Sequence, residues 1–221
     1  MYQRALQGCE KALGPDHTST LDTVNNLGIL YESQDKFDEA EKMYQRALQG
    51  KEKALGPDHT STLDTVNNLG LLYKSQGKFD EAEKMYQRAL QGSEKALGLD
   101  HTSTLNTVNN LGILYESQGK FDEAEKMYQW ALQRYEKALD PKNVARYRQA
   151  LNTIWNLGDL FAAQRHLDKA KEMYLRACTG FQVLLGPSCN QCQLIEFNIA
   201  SLDATQGKCR DISISFAYVV D

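Results

Sequence analysis

Apolar and small residues recur along the chain at steps of three and four. Leu63, Val66, Leu69, Gly70 and Tyr73 mark one stretch, and Phe79, Ala82, Tyr86, Ala89 and Leu90 mark the next. That spacing lays one apolar stripe along each of two α-helices. Ser75-Gln76-Gly77-Lys78 separates the stretches, and Gly98-Leu99-Asp100 closes the pair as Gly56-Pro57-Asp58 closes the one before. Glycine ends a helix by accepting a left-handed backbone, and proline cannot continue one, so the pattern predicts a helical hairpin. The aspartate or threonine of Asp58-His59-Thr60 is the expected N-cap of the following helix.

The hairpin is a repeating unit. Met43 to Lys84, 42 residues, is preceded by a copy that differs at four positions (Cys9, Ile29, Glu32, Asp35) and followed by one that differs at five (Ser93, Leu99, Asn106, Ile113, Glu116). Such a period identifies an array. Two helices leave apolar flanks that only neighbouring hairpins cover, so the expected fold is all-α, an α-α superhelix of stacked antiparallel helix pairs. The first helix of each pair, A, is expected to line its inner wall. A half repeat spans 1–13, helix pairs about 18–55, 60–97, 102–139 and 143–185, and a last A helix about 190–206. Four extra residues within 140–147 are about one helical turn and are expected to lengthen the fourth A helix. Residues 208–221 leave the repeat pattern, and the alternation of Ile212, Ile214 and Phe216 with serines reads as a short strand-like or disordered tail that folds back as a cap. Gly8, Gly50, Gly92 and Gly180 stand in the middle of the second helices, B. Close helix packing, a mild bend or early termination each account for them.

The order Leu69-Gly70, Tyr73, Gln76-Gly77, Phe79, Ala82, Tyr86, Ala89-Leu90 resembles the tetratricopeptide repeat. The 42-residue length with NNL, QGKF, EAE, RAL, EKALG and PDH is similar to the repeats of kinesin light chains and of repeat tails on fungal signalling NTPases. The resemblance implies a non-catalytic scaffold that binds an extended peptide or partner protein. Alternatives within it are the ligand-sensing or oligomerising tail of a larger signalling NTPase of NB-ARC or NACHT type, and a kinesin-light-chain-type cargo adaptor. No heptad stretch precedes the repeats to join a motor chain.

Charge and cysteine usage narrow the reading. A net charge of -4 argues against a nucleic-acid partner, which needs a basic surface. Five scattered cysteines and no apolar leader point to a reduced, cytoplasmic protein, and no apolar run reaches the ~20 residues of a membrane span. Tyr2, Ala5 and Leu6 sit where an earlier hairpin would pack, so self-association through this open helix is expected.

Recognition is expected on the A helices. Asn26, Asn68, Asn110, Asn156 and Asn198 fall in one column, and Asn25, Asn67 and Asn109 run beside it, continued by Trp155 and Phe197. Asparagine both donates and accepts, so a ladder of amides suits the backbone of an extended peptide; hydrogen bonding between adjacent A helices is the structural alternative. Trp155 and Phe197 are expected as aromatic anchors, the removal of Trp155 weakening binding without changing the melting curve. Asp22, Asp64, Glu32, Glu116 and Asp159 make the wall acidic to neutral, with Lys74 as its main basic exception and Ile29, Leu71 and Ile113 as an apolar stripe. An apolar partner with some basic character fits, and acidic tails fit poorly.

No catalytic, metal or cofactor site is expected. His17, His59 and His101 lie one repeat apart in the turns, beyond the ~2 Å at which zinc holds nitrogen, and suit a turn or capping role; His166 reads as a loop residue. Cys189-x-x-Cys192 has redox spacing but no second pair or histidine beside it. The glutamates and lysines of DEAEK form a solvated helix face.

Overall fold

The computed structural model describes residues 2–139, 144 and 146–217, the side chains of Tyr2 and of 206–217 excepted. Ten α-helices and no strand occur among the described residues: α1 (Tyr2–Leu13), α2 (Thr18–Glu32), α3 (Phe37–Leu55), α4 (Thr60–Ser75), α5 (Phe79–Leu97), α6 (Thr102–Ser117), α7 (Phe121–Ala138), α8 (Arg148–Ala163), α9 (Leu167–Leu185) and α10 (Asn190–Ala217). The chain forms two compact units, Met1–Gln118 with α1 to α6 and Gly119–Asp221 with α7 to α10.

In the α2/α3 and α4/α5 hairpins the two helices lock reciprocally, and α8/α9 shares the first half of the arrangement. The A helix offers a glycine to a tyrosine ring of the B helix: a Cβ on Gly28, Gly70 or Gly158 would lie within 2.6, 2.7 or 2.6 Å of Tyr44, Tyr86 or Tyr174. The B helix returns the arrangement at its middle, where a Cβ on Gly50 or Gly92 would lie 2.5 Å from Leu21 or Leu63 of the A helix. Close packing is therefore the reason for glycine at 50 and 92, and at Gly8, with no earlier A helix described, nothing stands within 4 Å. Tyr44 is fully buried, and with Ala40 it packs on Leu69 and Leu72 of the next hairpin.

Hairpins are also tied to one another at recurring places. Arg46 pairs with Glu10 at 2.7 Å and Arg88 with Glu52 at 2.5 Å in the first unit, and Arg176 with Glu136 at 2.5 Å in the second. Tyr73 and Tyr115 donate to Glu41 and Glu83 of the preceding B helix, each at 3.0 Å.

The caps differ from expectation. His17, His59 and His101, in extended backbone, accept through Nδ1 from the amides of Ser19, Ser61 and Ser103 at 3.2 Å. Imidazole, rather than Asp58 or Thr60, is the N-cap; Asp58 instead pairs with Lys95 at 2.5 Å, and Thr60 is already the first helical residue. Thr62, two residues into the helix, donates to the Gly56 carbonyl at 2.9 Å and fastens the turn.

Two further expectations are corrected. The fourth A helix is not lengthened: α8 has 16 residues, as α4 and α6 have, so the four extra residues are taken up before Arg148. Residues 140–143 and 145 of that segment lie outside the described residues. At the other end α10 is a single helix of 28 residues reaching Ala217, so 208–217 is neither strand nor coil. No proline interrupts it, and Ile212 and Ile214 extend a helix in which the Gly207 turn of earlier repeats is not used. Residues 218–221 and the side-chain contacts of a capping tail lie outside the described residues.

Two substitution tests follow from this packing. Gly70→Ala drives a methyl into the Tyr86 ring and is expected to cost about 1–3 kcal/mol, whereas Gly8→Ala meets nothing and gains up to ~1 kcal/mol of helix propensity. Equal melting shifts for the two would contradict the notch. Gly77 takes φ 72° at the hairpin turn, but Arg165 holds the same left-handed backbone at φ 63°, a conformation that costs a residue with a Cβ about 1 kcal/mol. Denaturant unfolding of Arg165→Gly is expected to show a gain of that size, and a loss would place the strain elsewhere.

Candidate functional site

The sequence-predicted asparagines lie on the A helices but are cross-linked. Asn25, 8% exposed on α2, accepts from Asn68 Nδ2 of α4 at 3.2 Å, and Asn67 accepts from Asn110 Nδ2 of α6 at 3.1 Å. The two columns are thus joined diagonally into rungs, the second-column amide of one helix donating to the first-column amide of the helix before. Each rung uses one N–H and one carbonyl lone pair, leaving further donor and acceptor capacity on each amide. Asn26 is exposed, and Asn109 and Asn156 are half-buried. In the second unit Asn198 donates to Asp159 at 3.4 Å.

The aromatic pair separates. Trp155 is half-buried and its ring meets the fully buried Phe181 edge-on, with centroids 6.1 Å apart at 79°. One face of the Trp155 ring therefore packs on the core of the second unit. Phe197 on α10 is 72% exposed.

Beside the first rung a groove of about 710 Å³ opens between α2, α4 and the start of α3. Ile29 and Leu71 supply its apolar flank, Asn68, Ser33 and Ser75 its neutral polar groups, and Glu32 and Asp35 its carboxylates. Tyr44, whose ring fills the Gly28 notch, ends in the same groove and donates to Glu32 Oε2 at 2.8 Å. Burial pushes the Glu32 carboxyl above its ordinary range, a shift that the Tyr44 hydrogen bond partly offsets. Desolvation and the neighbouring carboxylate push the Tyr44 phenol far up, so it remains a donor. The second unit repeats the arrangement with a shorter acid: Tyr174 donates to Asp159 Oδ1 at 2.6 Å. Burial again raises that carboxyl, against the Tyr174 hydrogen bond and the approach of the Trp155 indole. The indole N–H itself falls outside hydrogen-bonding geometry.

Lys51 is the site residue that pattern reading missed. It lies on α3, 3% exposed, with Nζ 2.7 Å from Asp22 Oδ1 and 3.2 Å from the Ser61 carbonyl. Asp64 feels it too: burial raises that carboxyl, Lys51 lowers it and Asp22 raises it again. Lys51 thus offsets Asp22 and Asp64 and joins Lys74 as a second base beside the wall, while Glu32 and Asp35 are the acids of the groove. A signal was present in the sequence, because position 51 is one of the few at which the near-identical units differ, cysteine and serine standing at 9 and 93. In the second interface Ser93 and Asn106 line a smaller recess of about 90 Å³ with Asp64 and Asn67.

The other chemical candidates have structural roles. Cys189 Sγ accepts from the Cys192 amide at 3.3 Å at the start of α10, with the two sulfurs 2.7 Å apart. Burial pushes the Cys192 thiol up to about 12, which leaves little thiolate at neutral pH. No cluster of three or more metal-ligating side chains occurs among the described residues, and none of the described helices is long and apolar enough to cross a membrane.

Family models described as tetratricopeptide repeat match residues 1–53, 25–95 and 61–137, and a second model of that description matches 109–182. No curated protein sequence matches the chain. Among solved structures, BtubC (BKLC) from P. vanneervenii superposes with a TM-score of 0.75 at 21% identity, over 93% of this chain and 80% of that one. A P. anserina protein described as a kinesin light chain with nearly identical TPR-like repeats gives 0.70 at 19% identity, over 88% and 90%. These likenesses carry the fold, an all-α superhelical repeat. The helix pairs, their glycine notches and the matched models agree, and the chain belongs to the tetratricopeptide-repeat family.

Proposed function

We propose that the A-helix face of the first unit is a non-catalytic docking surface for an extended, largely apolar peptide segment that carries a basic side chain. Tetratricopeptide repeats mediate protein–protein interaction, and the groove beside Asn68 has the composition that such a segment needs. Ile29 is 46% exposed and with Leu71 offers apolar surface, while the spare amide capacity of Asn25, Asn67, Asn68 and Asn110 suits a peptide backbone. Asn26 and Asn109 extend that series within the first unit; in the second unit by itself, Asn156 and Asn198 stand on the A helices with Phe197 as an exposed apolar anchor.

The observation that carries the reading is Glu32. Its carboxylate is half-buried beside apolar side chains, holds a hydrogen bond from Tyr44 and, among the described residues, is paired with no cation. A lysine or arginine of the ligand would bring its apolar stem along Ile29 and Leu71 and its charge to Glu32, a charge-assisted contact in a partly desolvated place.

Anisotropy titration with blocked peptides that differ only in a central lysine, glutamine or glutamate tests the sign. The lysine peptide is expected to bind about tenfold tighter than the glutamine peptide, and Glu32→Gln to abolish the difference. Glu32 must be ionised to hold the cation, and its pKa is raised, so lysine-peptide affinity is expected to fall with decreasing pH from above the ordinary carboxylate range. Tightest binding by the glutamate peptide, or a pH profile unchanged in Glu32→Gln, would refute the proposal.

A further inference from the structure

The turn before α10 differs from the earlier turns at the two positions that clasp it. With Gly186-Pro187 aligned on Gly56-Pro57, Cys189 stands where His59 caps α4, and Cys192 stands where Thr62 fastens the turn to the Gly56 carbonyl. Both groups of the clasp are therefore sulfur. Cys189 Sγ accepts from the Cys192 amide at 3.3 Å, and Cys192 Sγ lies 3.9 Å from the Gly186 carbonyl, against 2.9 Å for the threonine hydroxyl in the earlier turn. A thiol is a weak donor and a weak acceptor, so this clasp is poorer in hydrogen bonding than the one it replaces. What the replacement adds is proximity. The two sulfurs are 2.7 Å apart, and a small movement brings them to the ~2.05 Å of a disulfide. Their access differs: Cys189 is half-buried, whereas Cys192 is 0% exposed.

We propose that Cys189 and Cys192 form a peroxide-sensitive pair that closes to a disulfide at the start of α10, Cys189 meeting the oxidant and Cys192 resolving it. In the first step Cys189 Sγ attacks an oxygen of a hydroperoxide and the O–O bond breaks. The departing oxygen takes the thiol proton and leaves as water or an alcohol, so the peroxide is reduced and Cys189 is oxidised to a sulfenic acid. In the second step Cys192 Sγ attacks the Cys189 sulfur, the S–O bond breaks, and hydroxide leaves with the Cys192 proton as water. Cys192 needs no opening to solvent for this, because its target is the sulfur already beside it. Reduction also enters through the accessible member: an external thiol attacks Cys189, and Cys192 leaves and regains its proton. Cys178 of α9 borders the pair, its carbonyl 3.9 Å from Cys192 Sγ, but at 6% exposed it is shielded from the oxidant. The disulfide joins covalently the two positions that imidazole and threonine hold by hydrogen bonds in the earlier turns.

Hydrogen peroxide in slight molar excess over the reduced whole chain, followed by alkylation of the remaining thiols and tandem mass spectrometry without reductant, tests the pair. The wild-type chain is expected to carry a disulfide between Cys189 and Cys192 that dithiothreitol reopens, with Cys178 alkylated. In Cys192→Ser the same treatment is expected to leave Cys189 as a sulfenic acid, labelled by a dimedone probe about tenfold more than in the wild type. In Cys189→Ser, Cys192 is expected to stay reduced. Both substitutions are close in size, circular dichroism reports whether the helices are kept, and the wild-type result stands independently of either variant. A disulfide joining Cys178 to Cys192, equal dimedone labelling of Cys189 in the wild type and Cys192→Ser, or a 189–192 segment still reduced after Cys9 has reacted overturns the proposal.

Discussion

The structure depends on one contact, a tyrosine ring seated against a helix that has no side chain at that point. Tyr44, Tyr86 and Tyr174 occupy this place against Gly28, Gly70 and Gly158. The glycine costs helix propensity, about 1 kcal/mol, but the closeness it permits buries a whole aromatic ring, which contributes more than that. A methyl at the same place would have to displace the ring or separate the helices, so the contact fixes both the spacing and the register of A against B.

The same contact joins the fold to the face where recognition is proposed. A tyrosine long enough to fill the notch ends in a hydroxyl on the A-helix side, and in the first hairpin that hydroxyl reaches the groove and donates to Glu32. Glu32 and Asp159 accept from Tyr44 and Tyr174, whereas the buried Tyr86 hydroxyl has no partner among the described residues. Stability and chemistry of the face are therefore set by different residues. The glycine and tyrosine of the notch are repeated through the near-identical units, and variation falls on positions such as 29, 32 and 35 that line the groove and on 51 beside Asp22.

Much of this was legible in the sequence, and the misses share a cause. Helix pairs follow from a stripe of small and apolar residues on a single helix, so α3, α5 and α9 begin and end where the spacing places them. Glycine at 50 was readable as a packing position, but its partner Leu21 was not, because the meeting of two stripes depends on helix rotation. The asparagine columns were visible as a face, whereas their diagonal rungs depend on the offset between neighbouring A helices. Lys51 was hidden for the same reason: its carboxylate and carbonyl partners come from α2 and the start of α4. The imidazole caps replaced a stronger propensity, since Asp58 is drawn away to Lys95. The run past Gly207 read as a break because the glycine that turns earlier repeats was assumed to turn this one, although α10 continues through it.

Removing the tyrosine hydroxyls one at a time tests the central contact most directly, because Tyr→Phe keeps the ring in its notch and deletes only the group delivered to the face. Denaturant unfolding is expected to show Tyr44→Phe and Tyr174→Phe each losing about 1.5–3 kcal/mol, the worth of a hydrogen bond to a charged group. Tyr86→Phe, which deletes a buried hydroxyl that has no partner among the described residues, is expected to be neutral or to gain up to about 1 kcal/mol. A loss at Tyr86 equal to the other two would contradict the account, because it would mean that the hydroxyl is satisfied and that the second hairpin does not present the same group in the same place.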